Sequence, residues 1–231
     1  MDIRILPSNI ANMIAAGEVV QRPASVVKEL MENAVDAGAD QVTVVIQDAG
    51  RTLIQVIDNG CGMTPDQAVL CFERHATSKL QSAEDLNNIL TFGFRGEALA
   101  AISSVSKIRI FSKPRDAEMG AILTAEGGEV LDITETGCAD GTTVVVEDLF
   151  YNVPARRKFL KKDTTEGAYV ENIVTQIAVS QPQVGGILPQ SAAEAAGLKP
   201  GDMITAIDGV KNRWQELWYV TLPAMKPQLL F

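Results

Sequence analysis

The stretch that decides the fold is residues 23–58, PASVVKELMENAVDAGADQVTVVIQDAGRTLIQVID. Pro23 suits the first turn of a helix and Gly38 suits its end. Between them, six apolar residues fall on one broad arc at 100° per residue. They are Val26, Val27, Leu30, Met31, Ala34 and Ala37. Segments 41–47 and 52–57 are rich in β-branched residues and flank a short turn, so the stretch predicts a helix followed by a β-hairpin.

The sequence after this stretch predicts further short elements with brief connections. Helices are predicted from Pro65 to Phe72, over 96–104 and over 165–179, and strands over 107–112, 120–125, 129–134 and 142–147. Short connections favour antiparallel pairing. The predicted fold class is therefore α+β, with helices on one face of a mixed, mostly antiparallel sheet.

Composition excludes several classes of protein. The 231 residues are 46% hydrophobic and 21% charged, which is ordinary for a globular chain and argues against disorder. The net charge of −9 means that nucleic acid would need a local basic patch. Three cysteines without a CxxC pair argue against a disulfide framework and fit a reducing compartment. No apolar run approaches the roughly 20 residues that span a bilayer, so we expect a soluble, cytoplasmic protein.

Charge and composition also indicate a domain boundary. Residues 1–180 carry 16 Lys or Arg and 25 Asp or Glu, whereas residues 181–231 carry four of each. The sequence QPQVGG at 181–186 is typical of a linker. We therefore predict one main domain over 1–181.

The first segment that carries chemistry lies on the predicted helix. Glu29, Asn33 and Asp36 fall within about 60° of one another on a helical wheel, at the margin of the apolar arc. A carboxylate there can accept a proton from water, and an amide oxygen is a hard ligand suited to Mg²⁺ shared with phosphate. The alternative is an ordinary solvated helix face.

The second segment is DNGCGM at 58–63, which follows a predicted strand. Its glycines permit a tight turn and a close approach of backbone to a flat ligand. Asp58 can accept a hydrogen bond from an exocyclic amine, which is one way to read adenine. Thr143, on the predicted strand 142–147, would offer a hydroxyl next to Asp58 if the two strands were neighbours. The alternatives are a plain turn and an ordinary β-branched strand residue.

The third segment is glycine-rich and runs from ATSK at 76–79 to GFRGEAL at 93–99. Backbone N–H groups at a glycine-rich helix start can bind an anion, and Lys79 and Arg95 would add positive charge. Neither GxxxxGK[ST] nor a strand followed by GxGxxG is present. The alternative is an ordinary loop.

Together and in this order, these segments resemble a known family. KELMENAVDAGAD, DNGCGM, HATSKL, FGFRGEALAAISSV and GTTVVVEDLFYNVPARRKFLK resemble the N-terminal ATPase region of the MutL family of DNA mismatch repair proteins. This family belongs to the GHKL ATPases. The resemblance covers roughly residues 1–180 and implies the GHKL (Bergerat) sandwich of helices on a sheet, with ATP and Mg²⁺ as cofactors.

The resemblance also implies residue roles. Glu29 corresponds to the general base, Asn33 to the Mg²⁺ ligand and Asp58 to the adenine reader. Gly62, Met63 and Thr143 would lie beside Asp58, and Thr77, Ser78 and Lys79 would form part of the ATP lid. The phosphate-binding turn and helix start would be Gly93, Phe94, Arg95, Gly96, Glu97, Ala98 and Leu99.

The resemblance ends near residue 181. Members of the family continue into a transducer domain that supplies a lysine to the γ-phosphate, whereas residues 182–217 here resemble part of a PDZ domain and 218–231 form an apolar tail. We therefore expect nucleotide binding to survive better than hydrolysis. The alternative function is a non-catalytic, nucleotide-gated binding module whose PDZ-like piece engages a partner. That piece would otherwise be a remnant packed on the main domain.

A basic cluster suggests a further partner. Five positive charges fall within seven residues: Arg156, Arg157, Lys158, Lys161 and Lys162. The cluster is compatible with salt-sensitive DNA contact, and the alternative is a solvated surface. The resemblance also implies mismatch-repair proteins as partners and an ATP-dependent homodimer formed through the N-terminal segment.

Overall fold

The computed structural model describes residues 4, 6–73, 76–77, 96–180 and 229–230. The helices are α1 (Ser8–Val19), α2 (Pro23–Asp36), α3 (Pro65–Leu70), α4 (Ala98–Ser104), α5 (Pro154–Phe159) and α6 (Asp163–Ser180). The strands are β1 (Val42–Gln47), β2 (Leu53–Asp58), β3 (Lys107–Lys113), β4 (Gly120–Glu126), β5 (Glu129–Thr136), β6 (Gly141–Glu147) and β7 (Leu229–Leu230). A single 3₁₀ turn over Asp48–Gly50 joins β1 to β2.

The strands form one sheet in the order β5-β4-β3-β6-β2-β1-β7. Strands β1 to β6 pair antiparallel, and the two-residue β7 lies parallel to β1 at the sheet edge. The predicted mixed, mostly antiparallel sheet is confirmed. The predicted hairpin is confirmed as well, since Val42 pairs with Asp58 and Gln47 with Leu53.

The core lies between one face of the sheet and the helices. Alternate residues of β1, β2 and β3 are buried there, because successive strand side chains point to opposite faces. Helix α2 packs on β1 and β2, and α4 packs on β3. From α2 the fully buried members are Val26, Val27 and Met31. Burial of each such side chain contributes about 1.5–3 kcal/mol to the free energy of folding. The part of α2 that carries Glu29 and Asn33 is therefore held firmly against the sheet.

Two helices were not predicted from the sequence. The first, α1, contains Gly17 and has no side-chain cap, and α5 spans only six residues. Neither therefore carries a strong local helix signal. Helix α1 packs on α4, and α6 packs on α2. Among the described residues, no helix has the length and apolar character needed to cross a membrane.

Candidate active site

Helix α2 carries the predicted acid and amide side by side. Glu29 and Asn33 are four residues apart, so they lie on the same side of the helix one turn from each other. The Glu29 side chain is 26% exposed, and its Oε1 lies 3.7 Å from Lys28 Nζ. Lys28 Nζ also forms a closer ion pair, 2.7 Å, with Oε2 of the buried Glu32. Glu29 and Asn33 therefore lie at the margin of the core, where a ligand can reach them.

Asp58 is the last residue of β2 and is 9% exposed. Its Oδ1 accepts hydrogen bonds from the backbone N–H groups of Gly60 (2.8 Å) and Thr142 (3.3 Å). Burial raises the pKa of the Asp58 carboxyl, and these two backbone hydrogen bonds oppose that rise only in part. Both bonds use Oδ1, which leaves Oδ2 as the acceptor that a ligand can use.

The turn after Asp58 is tied to the C-terminal end of α2. The Cys61 N–H donates to the carbonyl of Ala37 (2.9 Å), and the Ala37 N–H donates to the carbonyl of Asn33 (2.9 Å). At 1.5 Å rise per residue, Glu29 lies about 12 Å from Ala37 along the helix. The turn after Asp58 is thus attached to the end of the helix that carries Asn33 and Glu29. That one helix edge and one strand end form a common site stays a prediction.

The register of the sheet corrects the predicted threonine contact. Strands β2 and β6 are neighbours, as the prediction required, but Thr142 is the residue opposite Asp58. Thr143 stands opposite Ile57, and side chains of directly paired residues share a face. Thr143 therefore lies on the other face of the sheet from Asp58, and Thr142 takes the position expected for it.

The burial pattern of the two strands agrees with Thr142 as the residue on the face of Asp58. Val56 and Asp58 are buried on the core face of β2, and Val144 is buried on the core face of β6. Stepping back two residues from Val144 reaches Thr142, because strand side chains alternate with a period of two. In the sequence, Thr142 and Thr143 are equivalent neighbours, so only the pairing of β6 with β2 distinguishes them.

Gly62 and Met63 pack the same turn against the end of β3. Gly62 has φ +69°, and a Cβ there would overlap the carbonyl of Lys113, so glycine is required on both counts. The Met63 N–H donates to Ser112 Oγ at 2.8 Å. Ser112 was not singled out in the sequence, where it is one serine of an ordinary strand.

The start of segment 76–79, which resembles the ATP lid, contacts segment 93–99, which resembles a phosphate-binding turn. Gly96 has φ +61°, and a Cβ there would overlap the carbonyl of Ala76. Thr77 follows directly in the described chain. The two segments that the resemblance assigns to the ATP lid and to phosphate binding therefore touch at their described ends.

Helix α4 begins where the resemblance places a phosphate-binding helix start. Ala98 and Leu99 form its first turn, and the carbonyl of Glu97 accepts the N–H of Ala101 at 2.8 Å. Five predicted site residues lie outside the described residues: Ser78, Lys79, Gly93, Phe94 and Arg95. Their roles stay predictions.

The five residues of the basic cluster at 156–162 differ in their exposure to solvent. Arg156 is partly buried, and its Nη2 donates to the carbonyls of Met13 (3.0 Å) and Ile14 (3.5 Å) in α1. The other four cations are exposed: Arg157, Lys158, Lys161 and Lys162. The predicted basic surface therefore consists of four residues, since Arg156 is used within the fold.

Two family models match the chain. Residues 21–128 match the family described as histidine kinase-, DNA gyrase B- and HSP90-like ATPase, and residues 183–214 match the PDZ domain family. The first range contains Glu29, Asn33 and Asp58. The second lies outside the described residues, so the PDZ-like segment stays a prediction.

The chain is also similar to curated mismatch repair proteins. DNA mismatch repair protein MutL of Caldanaerobacter subterraneus is 53% identical over 182 residues, 79% of this chain and 31% of that protein. MutL of Trichlorobacter lovleyi is 51% identical over 201 residues, 87% of this chain and 34% of that protein. The chain thus spans about a third of the length of these relatives.

Solved structures share the fold. The MutL ATPase domain of Aquifex aeolicus complexed with ADP has a TM-score of 0.55 at 36% identity, covering 71% of this chain and 57% of that one. The N-terminal domain of a DNA repair protein has a TM-score of 0.62 at 27% identity, covering 78% of this chain and 53% of that one. Both likenesses agree with a GHKL sandwich of helices on an antiparallel sheet.

Proposed function

Because the N-terminal region of this chain is a GHKL ATPase domain of the MutL-like mismatch repair type, we propose that it binds ATP together with Mg²⁺. The observation that supports this most directly is the attachment of the Asp58 turn to the end of α2. This attachment would bring an acceptor for an exocyclic amine toward the helix edge that carries the amide and the carboxylate. A nucleotide lying along that edge would place adenine at Asp58 and phosphates toward Asn33 and Glu29.

Asn33 fits a Mg²⁺ ion held mainly by the nucleotide. Its amide oxygen is a hard donor, and Mg²⁺ in phosphate-transfer sites takes one or two protein ligands and several phosphate or water oxygens. Among the described residues, no group of three or more His, Cys, Asp or Glu side chains forms a cage of protein ligands. When bound, the ion would neutralise phosphate charge.

Glu29 is the proposed general base. It lies one turn from Asn33 at the core margin, and its side chain is 26% exposed. In that position its carboxylate would orient a water molecule toward the terminal phosphate and accept its proton. Gly96 and the start of α4 would supply backbone N–H groups near the phosphates.

Hydrolysis by this chain is proposed to be slow. Transition-state charge on the γ-phosphate needs positive groups held close to it. In the resembled family a transducer lysine supplies one, whereas residues 183–214 here match a PDZ model. That match also favours the second candidate function, a nucleotide-gated binding module in which the C-terminal segment engages a partner and no turnover is needed.

The wider partners are proposals of the same kind. Arg157, Lys158, Lys161 and Lys162 would contact DNA phosphates. We also propose two protein partners that the resemblance implies. They are mismatch-repair proteins and, when ATP is present, a second copy of the chain bound through the N-terminal segment. Three free cysteines support a cytoplasmic location.

Calorimetric titration with a non-hydrolysable ATP analogue, with and without Mg²⁺, tests the binding proposal. Binding that strengthens with Mg²⁺ is expected, and absence of binding under both conditions would refute the proposal. Steady-state ATPase measurements then separate the two functions. Glu29→Ala should lower turnover about 100-fold or more while binding persists. The exposed Glu171→Ala on α6 is the matched control. Equal background rates in wild type and Glu29→Ala would favour the binding module.

A further inference from the structure

Phe159, the last residue of α5, is the most exposed large hydrophobic side chain among the described residues. It is 83% exposed, whereas the next, Leu131 on β5, is 63% exposed. A single exposed apolar side chain is common on protein surfaces, so its surroundings decide whether it has a role. None of the roles proposed above uses Phe159.

The surroundings of Phe159 are positively charged. Arg157 and Lys158 precede it, Lys161 and Lys162 follow within three residues, and all four cations are exposed. On a chain with a net charge of −9, this is a local concentration of positive charge. Such a patch attracts an anionic partner, and the ring stands in the middle of it.

The segment that carries these residues is held at both ends. At its start, Arg156 donates to two carbonyls of α1. At its end, the Lys161 N–H donates to Oε1 of the buried Glu166 at 2.8 Å, and the Lys161 carbonyl accepts from Arg51. Arg51 Nη1 also lies 2.9 Å from Asp163 Oδ1, which offsets the acidic charge that follows the cluster. Because the backbone is fixed before a ligand arrives, binding costs little further ordering of the segment.

Positive charge around one exposed ring is the arrangement by which many proteins bind single-stranded nucleic acid. Cationic side chains follow the phosphates, and an aromatic ring stacks on an unpaired base. Ala155 lies one turn before Phe159 on the same side of α5 and is small, so it leaves the ring uncovered. A membrane surface requires a broad apolar face on a longer helix, whereas α5 spans six residues.

We propose that Phe159 stacks on an unpaired base of single-stranded DNA while the four exposed cations of 157–162 hold the adjoining phosphates. This inference rests on the proposed DNA contact and adds the kind of DNA that the surface selects. The cations alone would bind a duplex and a single strand alike. The ring distinguishes them, because the bases of a duplex are already stacked on one another. Stacking uses the face of a base, so every base serves.

Fluorescence anisotropy with two labelled single strands of equal length tests the proposal in the full chain. One strand carries bases and the other carries abasic sugars, so both present the same phosphates. Wild type should bind the strand with bases about tenfold more tightly. Phe159→Ala should bind both strands equally, at the affinity that wild type has for the abasic strand. A preference for bases that persists in Phe159→Ala would overturn the inference.

Three further measurements separate stacking from other effects of the substitution. Phe159→Trp keeps a stacking ring and should keep the preference, whereas Phe159→Leu keeps apolar area without a ring and should lose it. Leu131→Ala, which removes another exposed apolar side chain, should leave the ratio unchanged. In Phe159→Ala, duplex affinity and the slope of log affinity against log salt should stay at wild-type values, since no cation is lost. Full preference in Phe159→Leu would show simple apolar contact and overturn stacking.

The behaviour of wild type separates failure of this inference from failure of the DNA contact. Equal affinity for the two strands, with a salt slope that responds to Arg157→Met, would reject stacking and leave the DNA contact standing. Binding to phosphatidylserine vesicles that depends on Phe159, with equal affinity for the two strands, would assign the surface to a membrane and overturn the inference. Absence of binding to any DNA would reject the DNA contact and the inference together.

Discussion

The guanidinium of Arg156 lies against Gly17, and its Nη2 donates to the Met13 carbonyl at 3.0 Å. A Cβ on residue 17 would overlap the guanidinium, so the absence of a side chain there makes room for it. This contact joins α1 to α5 across 139 residues of sequence. The contact explains why Arg156, within the basic segment 154–160, has a structural role. It also explains why Gly17 lies inside a helix.

Gly17→Ala should destabilise the protein by about 1 kcal/mol. Alanine favours a helix by about 1 kcal/mol over glycine, but displacing a charged donor from its carbonyl costs about 1.5–3 kcal/mol. Urea unfolding of the full chain measures the difference. Gly167→Ala in α6 is the control, because a Cβ there meets nothing within 4 Å, and it should stabilise. Equal stabilisation by both substitutions would show that the Arg156 contact contributes nothing.

Arg156→Met and Arg157→Met should separate folding from DNA contact. Arg157 is exposed, so its loss should weaken DNA binding and reduce the slope of log affinity against log salt by about 1, with little change in stability. Loss of Arg156 should lower thermal stability and leave the salt slope unchanged. Fluorescence anisotropy at several salt concentrations, with thermal unfolding, checks both. A salt slope that responds only to Arg156→Met would contradict the assignment.

Asp58→Asn should reduce ATP-analogue affinity at least tenfold, since the amide can place its N–H₂ group against the amine of the base. Asp132→Asn on the exposed strand β5 is the control. Calorimetry on both variants gives the comparison. Affinity retained in Asp58→Asn would show that the adenine contact lies elsewhere.

Nucleotide affinity should also depend on pH through Asp58. Burial raises the pKa of its carboxyl above the ordinary value of 3.8, so acidification protonates it earlier than an exposed aspartate. ATP affinity should fall as pH drops toward that raised pKa. Folding stability responds in the opposite sense, since it falls as pH rises from 3.8 through the raised pKa. Titrations across mildly acidic pH should show the affinity loss in wild type and not in Asp58→Asn.

The cysteines offer a test that needs no activity. Burial raises the pKa of the Cys71 thiol to about 12, whereas Cys61 is exposed in the turn after Asp58. Because the thiolate is the reactive form, alkylation should occur at Cys61 well before Cys71. A saturating ATP analogue should slow labelling of Cys61, as peptide mass analysis would show, and should not slow it in Asp58→Asn. Unchanged labelling in wild type would place the nucleotide away from this turn.

The elements with strong local patterns could be predicted from the sequence. The apolar arc between Pro23 and Gly38 determines α2, and two β-branched runs around a short turn determine the β1–β2 hairpin, because periodicity fixes which face is buried. These elements place Glu29, Asn33 and Asp58. Helices α1 and α5 were not predicted because tertiary contacts stabilise them. Helix α1 packs on α4, and Arg156 of α5 bonds to α1.

Residue types and their spacing along the chain predicted the acid, the amide and the aspartate of the proposed site. Only the tertiary structure decided that Thr142 lies opposite Asp58, that Ser112 contacts Thr142 and Met63, and that Arg156 faces inward. These three facts depend on the pairing of β6 with β2 and β3, and on the docking of α5 against α1. Such contacts join residues 30 to 143 positions apart, and no local periodicity records which of two adjacent side chains will meet a distant partner.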